Sequence, residues 1–206
     1  VNFTKLRKLS ESLHILQKIQ NAAPDIILAG GAIRDAYHNK HIKDYDFFVS
    51  SNTIPDVYNE NFWKNQFNLH TETLFGDTIT NLSDNEDASC EGANHVDMVW
   101  EINKNEKIYN IVVLDMNPIE YVNRFFDIGI CKTYSDGKRI RLTSDFMHDS
   151  QNHLLTIVSE DMSQREFNRM MNRHVEAVKN KYTGYKLVIP PRLAGYHKEY
   201  NNTIKI

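Results

Sequence analysis

Cysteine is scarce in this 206-residue chain, with only Cys90 and Cys131 present. No Cys/His set has zinc-ligand spacing, so we expect neither a disulfide framework nor a structural zinc, and both cysteines read as plain thiols of a reducing compartment. No apolar run approaches the ~18 residues of a membrane span. The opening VNFTKLRKLSESL lacks the continuous apolar core of a leader, and these absences together predict a soluble, cytoplasmic protein with no membrane partner. Eight glycines and five prolines leave no low-complexity linker, and no internal repeat is present. The glycines form neither G-x-G-x-x-G nor G-x-x-x-x-G-K-[ST], which excludes a dinucleotide fold and a P-loop. No G-x-S-x-G surrounds any serine, so nucleophilic hydrolase chemistry is unsupported.

Acidic groups dominate most of the chain. Residues 1–161 carry 15 Lys+Arg against 24 Asp+Glu, whereas residues 162–206 carry 9 against 3, within a net charge of −3. The C-terminal segment is therefore the basic part, suited either to attracting a polyanion such as RNA or to forming a solvated helix face.

Leu6, Leu9, Leu13 and Leu16 recur at helical spacing, which predicts an amphipathic helix ending before Pro24. DIILAG reads as a buried strand stopping at Gly30-Gly31, AIRDAYHN as a short helix, and KDYDFFVS as a returning strand. Pro55 suits the first turn of a second helix, strand-like segments follow around 69–80, and DNEDASCE (84–91) reads as a surface loop. HVDMVWEI and KIYNIVVLDM flank NKNE as a hairpin, and Asn117-Pro118 caps a further helix. FFDIGICKTY and KRIRLT form a second hairpin about SDG. Ser163 and Glu166 make a capping box ahead of Phe167, Met170, Met171, Val175 and Val178, and regular structure ends at Pro190-Pro191. Tyr182, Tyr185, Tyr196 and Tyr200 read as packing for the last helix or as stacking platforms for bases. His148-Asp149 reads as a surface turn, and His38 and His41 as exposed loop residues.

The stretch LAGGAIRDAYHNKHIKDYDFFV carries the chemistry. In a strand, Asp44 and Asp46 face the same side, where two like charges call for a cation between them. Two carboxylates with vacancies left for phosphate oxygens are what magnesium chemistry uses. Gly30-Gly31, between a strand and a helix, lets backbone N–H groups approach a phosphate, and Arg34 can add a guanidinium to the same anion.

This stretch resembles the signature of the DNA polymerase beta-like nucleotidyltransferase superfamily, most nearly the head domain of class II CCA-adding enzymes and bacterial poly(A) polymerases. Their pattern is a strand, Gly-Gly-x-Val-Arg-Asp, a short helix and Lys-Asp-x-Asp. The nine-position step from the Arg-Asp aspartate to the first metal aspartate is matched by Asp35 to Asp44. Lys43 stands at the lysine, and Asn39 replaces a turn glycine. RFFDIGICKTYSDGKRIRLTSDFMHDSQNHLL is similar in layout to the family's Arg-Asp-Phe-Thr-x-Asn-Ala segment, which implies that Asp127 serves the nucleotide sugar. A third carboxylate is open between Asp115, Asp97 and none, because Asn110 stands where close relatives hold an acid. The family's base-selecting Glu-Asp-x-x-Arg is missing from SQREFNRMMNRHVEAVKNKYTGY, so the choice of nucleotide does not carry over.

The resemblance implies an α/β (α+β) nucleotidyltransferase head over residues 1–150, with a mixed sheet and flanking helices, followed by a short helical neck and basic tail over 151–206. It implies transfer of a nucleoside monophosphate from an NTP to an acceptor hydroxyl, with pyrophosphate released. Asp44, Asp46 and Asp115 would be catalytic, with Asp44 and Asp46 holding Mg2+ or Mn2+; Gly30, Gly31, Arg34, Asp35, Lys43 and Asp127 would bind the NTP. The expected acceptor is an RNA 3′ end, held through the basic C-terminal segment. Alternatives are a protein or small-molecule acceptor, or a non-catalytic module binding nucleic acid or a host protein. Size and composition also resemble stand-alone members encoded by phages.

Overall fold

Strand β2, Asp44–Ser50, organises the first part of the chain. Its odd positions Tyr45, Phe47 and Val49 are buried, while on the opposite face Asp44 and Asp46 are partly exposed and Phe48 and Ser50 are buried, so the strand alternates with one open side only where it begins. The computed structural model describes residues 7–69, 77–83, 95–159 and 162–204. Leu6, Cys90 and the 84–91 stretch lie outside the described residues, as does most of the 69–80 region.

Helix α1 is Ser10–Ile19, entered by a 3-10 turn at Arg7–Leu9. Its buried stripe is Leu9, Ser12, Leu16 and Ile19, not the all-leucine stripe of the sequence pattern. Ser12 is tolerated there because its hydroxyl donates to the Leu9 carbonyl at 2.9 Å. Strand β1 is Ile27–Ala29, and helix α2 follows at Gly31–Tyr37. Asn39 takes the left-handed conformation, φ 56°, that its turn requires.

Pro55 opens a 3-10 turn, Pro55–Tyr58, rather than the second helix. Asn59 is extended and accepts a hydrogen bond from the Asn61 N–H, so helix α3 starts one turn later, at Glu60–Phe67. Strand β3 is Thr78–Asn81. The expected hairpin forms from β4, Val96–Lys104, and β5, Lys107–Leu114, with both turn residues Asn105 and Glu106 at positive φ. The Asn117 side chain accepts from the Ile119 and Glu120 N–H groups and starts helix α4, Pro118–Phe125.

The second predicted hairpin is shorter than its sequence pattern. Only β6, Thr133–Ser135, and β7, Ile140–Leu142, are strand, because Gly129–Cys131 forms a 3-10 turn. The seven strands order as β3-β4-β5-β2-β1-β6-β7. β2 and β5 run parallel, whereas β1–β2, β1–β6, β3–β4 and β4–β5 are antiparallel. On the covered face Tyr109 stacks on Tyr45 and Phe47 and meets Phe67, with centroids 5.3, 6.2 and 5.4 Å apart. Trp63 and Trp100 both donate to the Val57 carbonyl, which leaves no indole N–H of the pair unpaired.

The chain divides into two compact units, residues 1–123 with 133–141, and residues 124–132 with 142–206. The second contains helix α5, Ser144–Asn152, strand β8, Leu154–Thr156, helix α6, Gln164–Met170, a π-helical turn at Met171–Val175, helix α7, Glu176–Lys181, strand β9, Lys186–Val188, and helix α8, Ala194–Ile204. The capping box at Ser163 and Glu166 is present, and Phe167, Met170, Met171, Val175 and Val178 are all buried. Helix α8 has no counterpart in the sequence reading. Its signal is Leu193, Tyr196 and Tyr200 at helical spacing, and the rings of Tyr196 and Tyr200 pack on Phe167 at 6.1 and 6.3 Å.

His148-Asp149 is no surface turn. His148 is exposed, but the Asp149 side chain is 1% exposed. It accepts from the Ile130 N–H at 3.0 Å, the Thr156 N–H at 2.9 Å and the Thr156 hydroxyl at 2.6 Å, and so ties the 3-10 turn to β8.

Candidate active site

The order strand, glycine pair, helix, strand brings the signature residues to one end of β2. β1 pairs with β2 so that Ala29 faces Asp46, which sets Gly30 and Gly31 beside the start of β2. Gly30 adopts φ 75°, ψ −128°, a conformation that side-chain-bearing residues rarely take. Its N–H donates to the Thr133 carbonyl at 2.9 Å, so it completes the sheet and is not turned to a ligand. Gly31 begins α2 with the Arg34 guanidinium lying over it. A Cβ there would come within 3.6 Å of Arg34 Nη2.

Arg34 and Asp35 are buried, with Arg34 Nε donating to Asp35 Oδ1 at 2.7 Å. The Asp35 carbonyl also accepts from the Lys40 N–H. Asp35 thus holds the guanidinium by its carboxylate and the loop behind it by its carbonyl. Lys43 is exposed and its Nζ lies 3.7 Å from Asp44 Oδ2.

Burial first, and the Asp44 carboxylate second, push the Asp46 carboxyl up to about 6. The Asn110 amide, Arg34 and Lys43 act in the opposite direction. Asn110 stands directly across β5 from Asp46 and donates Nδ2 to Oδ1 at 2.8 Å. The register extends this row to Glu101 on β4 and to exposed Thr80 on β3. Residues opposite one another share a sheet face, so the aspartates open onto a polar floor that the sequence reading missed. Pairing register, which short-range patterns do not fix across separate strands, is what assembles it.

Asp115 does not join this set. It follows β5 five residues beyond Asn110, about 17 Å along the strand, and its carboxylate holds His95 Nδ1 at 2.8 Å. Asp97 lies toward the same far end, at the β4 bulge, accepting from the Ser51 hydroxyl at 3.0 Å and the Tyr58 hydroxyl at 2.8 Å. Asp127 belongs to the second unit. Burial pushes its carboxyl up to about 6, against Arg169 and the Ser159 hydroxyl, which favour the ionised form. His38 is half-buried and His41 exposed. Among the described residues no group of three or more His, Cys, Asp or Glu side chains is placed to hold a metal ion. Hard oxygen donors on one strand face, crowded enough to disfavour double ionisation, nevertheless suit a divalent cation whose other ligands come from substrate or water.

A mixed sheet carrying Gly-Gly-x-x-Arg-Asp and Asp-x-Asp in this arrangement defines a nucleotidyltransferase-like fold, and solved structures agree. The Thermotoga maritima CCA-adding enzyme complexed with tRNA superposes with TM-score 0.60 at 12% identity, over 96% of this chain and 43% of that one. The Bacillus stearothermophilus CCA-adding enzyme in complex with CTP gives 0.55 at 17% identity, over 92% and 42%. A tRNA nucleotidyltransferase complexed with a primer tRNA and an incoming ATP analogue gives 0.55 at 15%, over 92% and 50%. The chain therefore spans half or less of these neighbours' length, and at these identities the likeness concerns the fold. By sequence the chain belongs to the Gabija anti-defense 2 family, whose model matches residues 3–153. No curated protein matches it. Among the described residues, no helix is long and apolar enough to cross a membrane.

Proposed function

We propose that this chain is a metal-dependent nucleotidyltransferase that moves a nucleoside monophosphate from an NTP to an acceptor hydroxyl. The observation that carries the reading is the paired carboxylates Asp44 and Asp46 on one strand face, set beside Gly31 and the anchored Arg34 guanidinium. Mg2+ or Mn2+ bound by Asp44 and Asp46 would lower the acceptor hydroxyl's pKa and shield the leaving pyrophosphate. Arg34 and the backbone at Gly31 would hold the triphosphate, Lys43 would add charge at its edge, and Asn110 would keep Asp46 oriented. The acceptor oxygen would bond to the α-phosphorus as the α–β phosphoanhydride bond breaks, the hydroxyl proton passing to water and the bonding pair leaving on the pyrophosphate. Positioning and fixed charge supply most of the rate in such a site. Asp115 has no part in this reading.

Residues 1–150 carry the transfer chemistry here, and the basic segment 151–206 attracts the acceptor, an RNA 3′ end, in the cytoplasm of an infected host. The solved neighbours bound to tRNA, CTP and an ATP analogue support this choice of partners. The family's description favours a second reading, in which the acceptor is a hydroxyl on a protein of the defence that the family opposes. Both are tested by incubating the chain with α-phosphate-labelled NTPs and magnesium, and with RNA or host protein. Label on RNA that is lost when the 3′ end is blocked supports the first reading; label on protein supports the second. Label on neither contradicts nucleotidyl transfer.

A further inference from the structure

At the end of the sheet where β2 begins and the β4–β5 turn closes, a cleft of about 460 Å³ opens between three separate stretches of chain. Lys8 comes from the 3-10 turn before α1; Lys40, His41 and Lys43 from the loop between α2 and β2; and Lys107 follows the Asn105-Glu106 turn. Tyr45 lies among them on the face of β2 opposite Asp44 and Asp46, with its ring held by Tyr109. Glu106 lines the cleft, Glu11 pairs with Lys107 and Asp44 stands beside Lys43, so the four lysines exceed these acids by one, with Lys8 and Lys40 in none of these ion pairs. Lys8 Nζ also donates to the Lys40 carbonyl at 3.4 Å, which brings the first two stretches together.

Net positive charge here is unexpected in the acidic part of the chain, where acids outnumber bases 24 to 15 over residues 1–161. The charges are lysines spread over three segments, without the Gly31 backbone and anchored guanidinium that mark the triphosphate side. Dispersed point charges suit several successive phosphates better than one tightly gripped group. Lys43 joins the cleft to the aspartates, since its Nζ stands 3.7 Å from Asp44. We propose that this cleft binds the phosphate backbone of the single-stranded acceptor RNA and leads its 3′ end around the start of β2 to Asp44 and Asp46. The direction of the strand rests on the reading of those aspartates as the transfer site, but the binding itself does not.

The test is fluorescence anisotropy with a labelled single-stranded RNA on the full chain carrying Lys8→Ala and Lys40→Ala, with Asp44→Ala/Asp46→Ala as a parallel variant. At about 50 mM salt the lysine variant should bind RNA about tenfold or more weakly, and its salt dependence should flatten by about one to two contacts. Binding of inorganic triphosphate with magnesium should stay at the wild-type level, and the aspartate variant, which frees Lys43 from Asp44, should bind RNA at least as tightly as the wild type. Absence of RNA binding by the wild type, or RNA affinity unchanged in the lysine variant, overturns the proposal. So does a parallel loss of triphosphate, which would make the cleft a free-polyphosphate site. A failure of NTP transfer with RNA binding intact would count against the aspartates alone.

Discussion

Asn110 donates its side-chain amide to Asp46 across the parallel pairing of β2 and β5, with Nδ2 to Oδ1 2.8 Å apart. The residue directly across β5 from Asp46 is thus an uncharged donor and not a third acid.

Replacing Asn110 therefore separates two effects. Asn110→Asp adds a like charge where the amide stood, so the metal-free protein should melt at lower temperature while magnesium raises its melting temperature by more than in the wild type. Asn110→Ala should weaken both the metal-free protein and its response to magnesium. Thermal melts of the wild type and both variants, with and without magnesium, read all six values.

The pH dependence follows from Asp46 and Asp127, each raised from 3.8 to about 6. Between these values the folded state keeps a proton that the unfolded chain has released, so stability falls as pH rises from about 4 to about 6 and levels off above. Asp127→Asn should remove its share and raise stability at pH 8 by about 1–2 kcal/mol. Magnesium should reverse the loss due to Asp46 and leave that due to Asp127. Urea melts at pH 4, 6 and 8, with and without the ion, measure both shares.

The Arg34–Asp35 pair predicts a division between nucleotide and metal. Asp35→Asn keeps the shape but loses the charge that holds the guanidinium, so NTP affinity should fall several-fold while magnesium binding to the apo-protein changes little. Calorimetric titration with each ligand checks this. Equal losses of both would place Asp35 at the metal instead.

Gly129 is required by its neighbour. A Cβ there would sit 2.8 Å from Asp149 Oδ2, and that carboxylate cannot retreat without breaking three hydrogen bonds. Gly129→Ala should cost about 2–3 kcal/mol. Asp149→Ala, which leaves the same donors unmet, should cost a similar amount, and the double variant less than the sum of the two. Denaturant titration of the three variants tests the coupling.

The signature was legible because its parts are close in sequence. A glycine at φ 75°, an Arg-Asp pair and two acids on one strand face all follow from local patterns, as do the Asn105-Glu106 turn and the Ser163 capping box. What stayed hidden depends on register or on distant partners. Nothing near Asp115 shows that β5 carries it away from Asp44, and nothing near Asp149 shows that Ile130 and Thr156 bury it. Lys8, Lys40 and Lys107 were illegible as a group for the same reason, since only the fold brings them to one cleft.

The central claim is nucleotidyl transfer at Asp44 and Asp46, and its most direct measurement counts pyrophosphate released and nucleoside monophosphate incorporated in the same magnesium-containing reaction. Equal amounts from the wild type, with neither product from Asp44→Ala/Asp46→Ala, are predicted. No incorporation by the folded wild type with any of the four NTPs, or incorporation that persists without the two carboxylates, would contradict it.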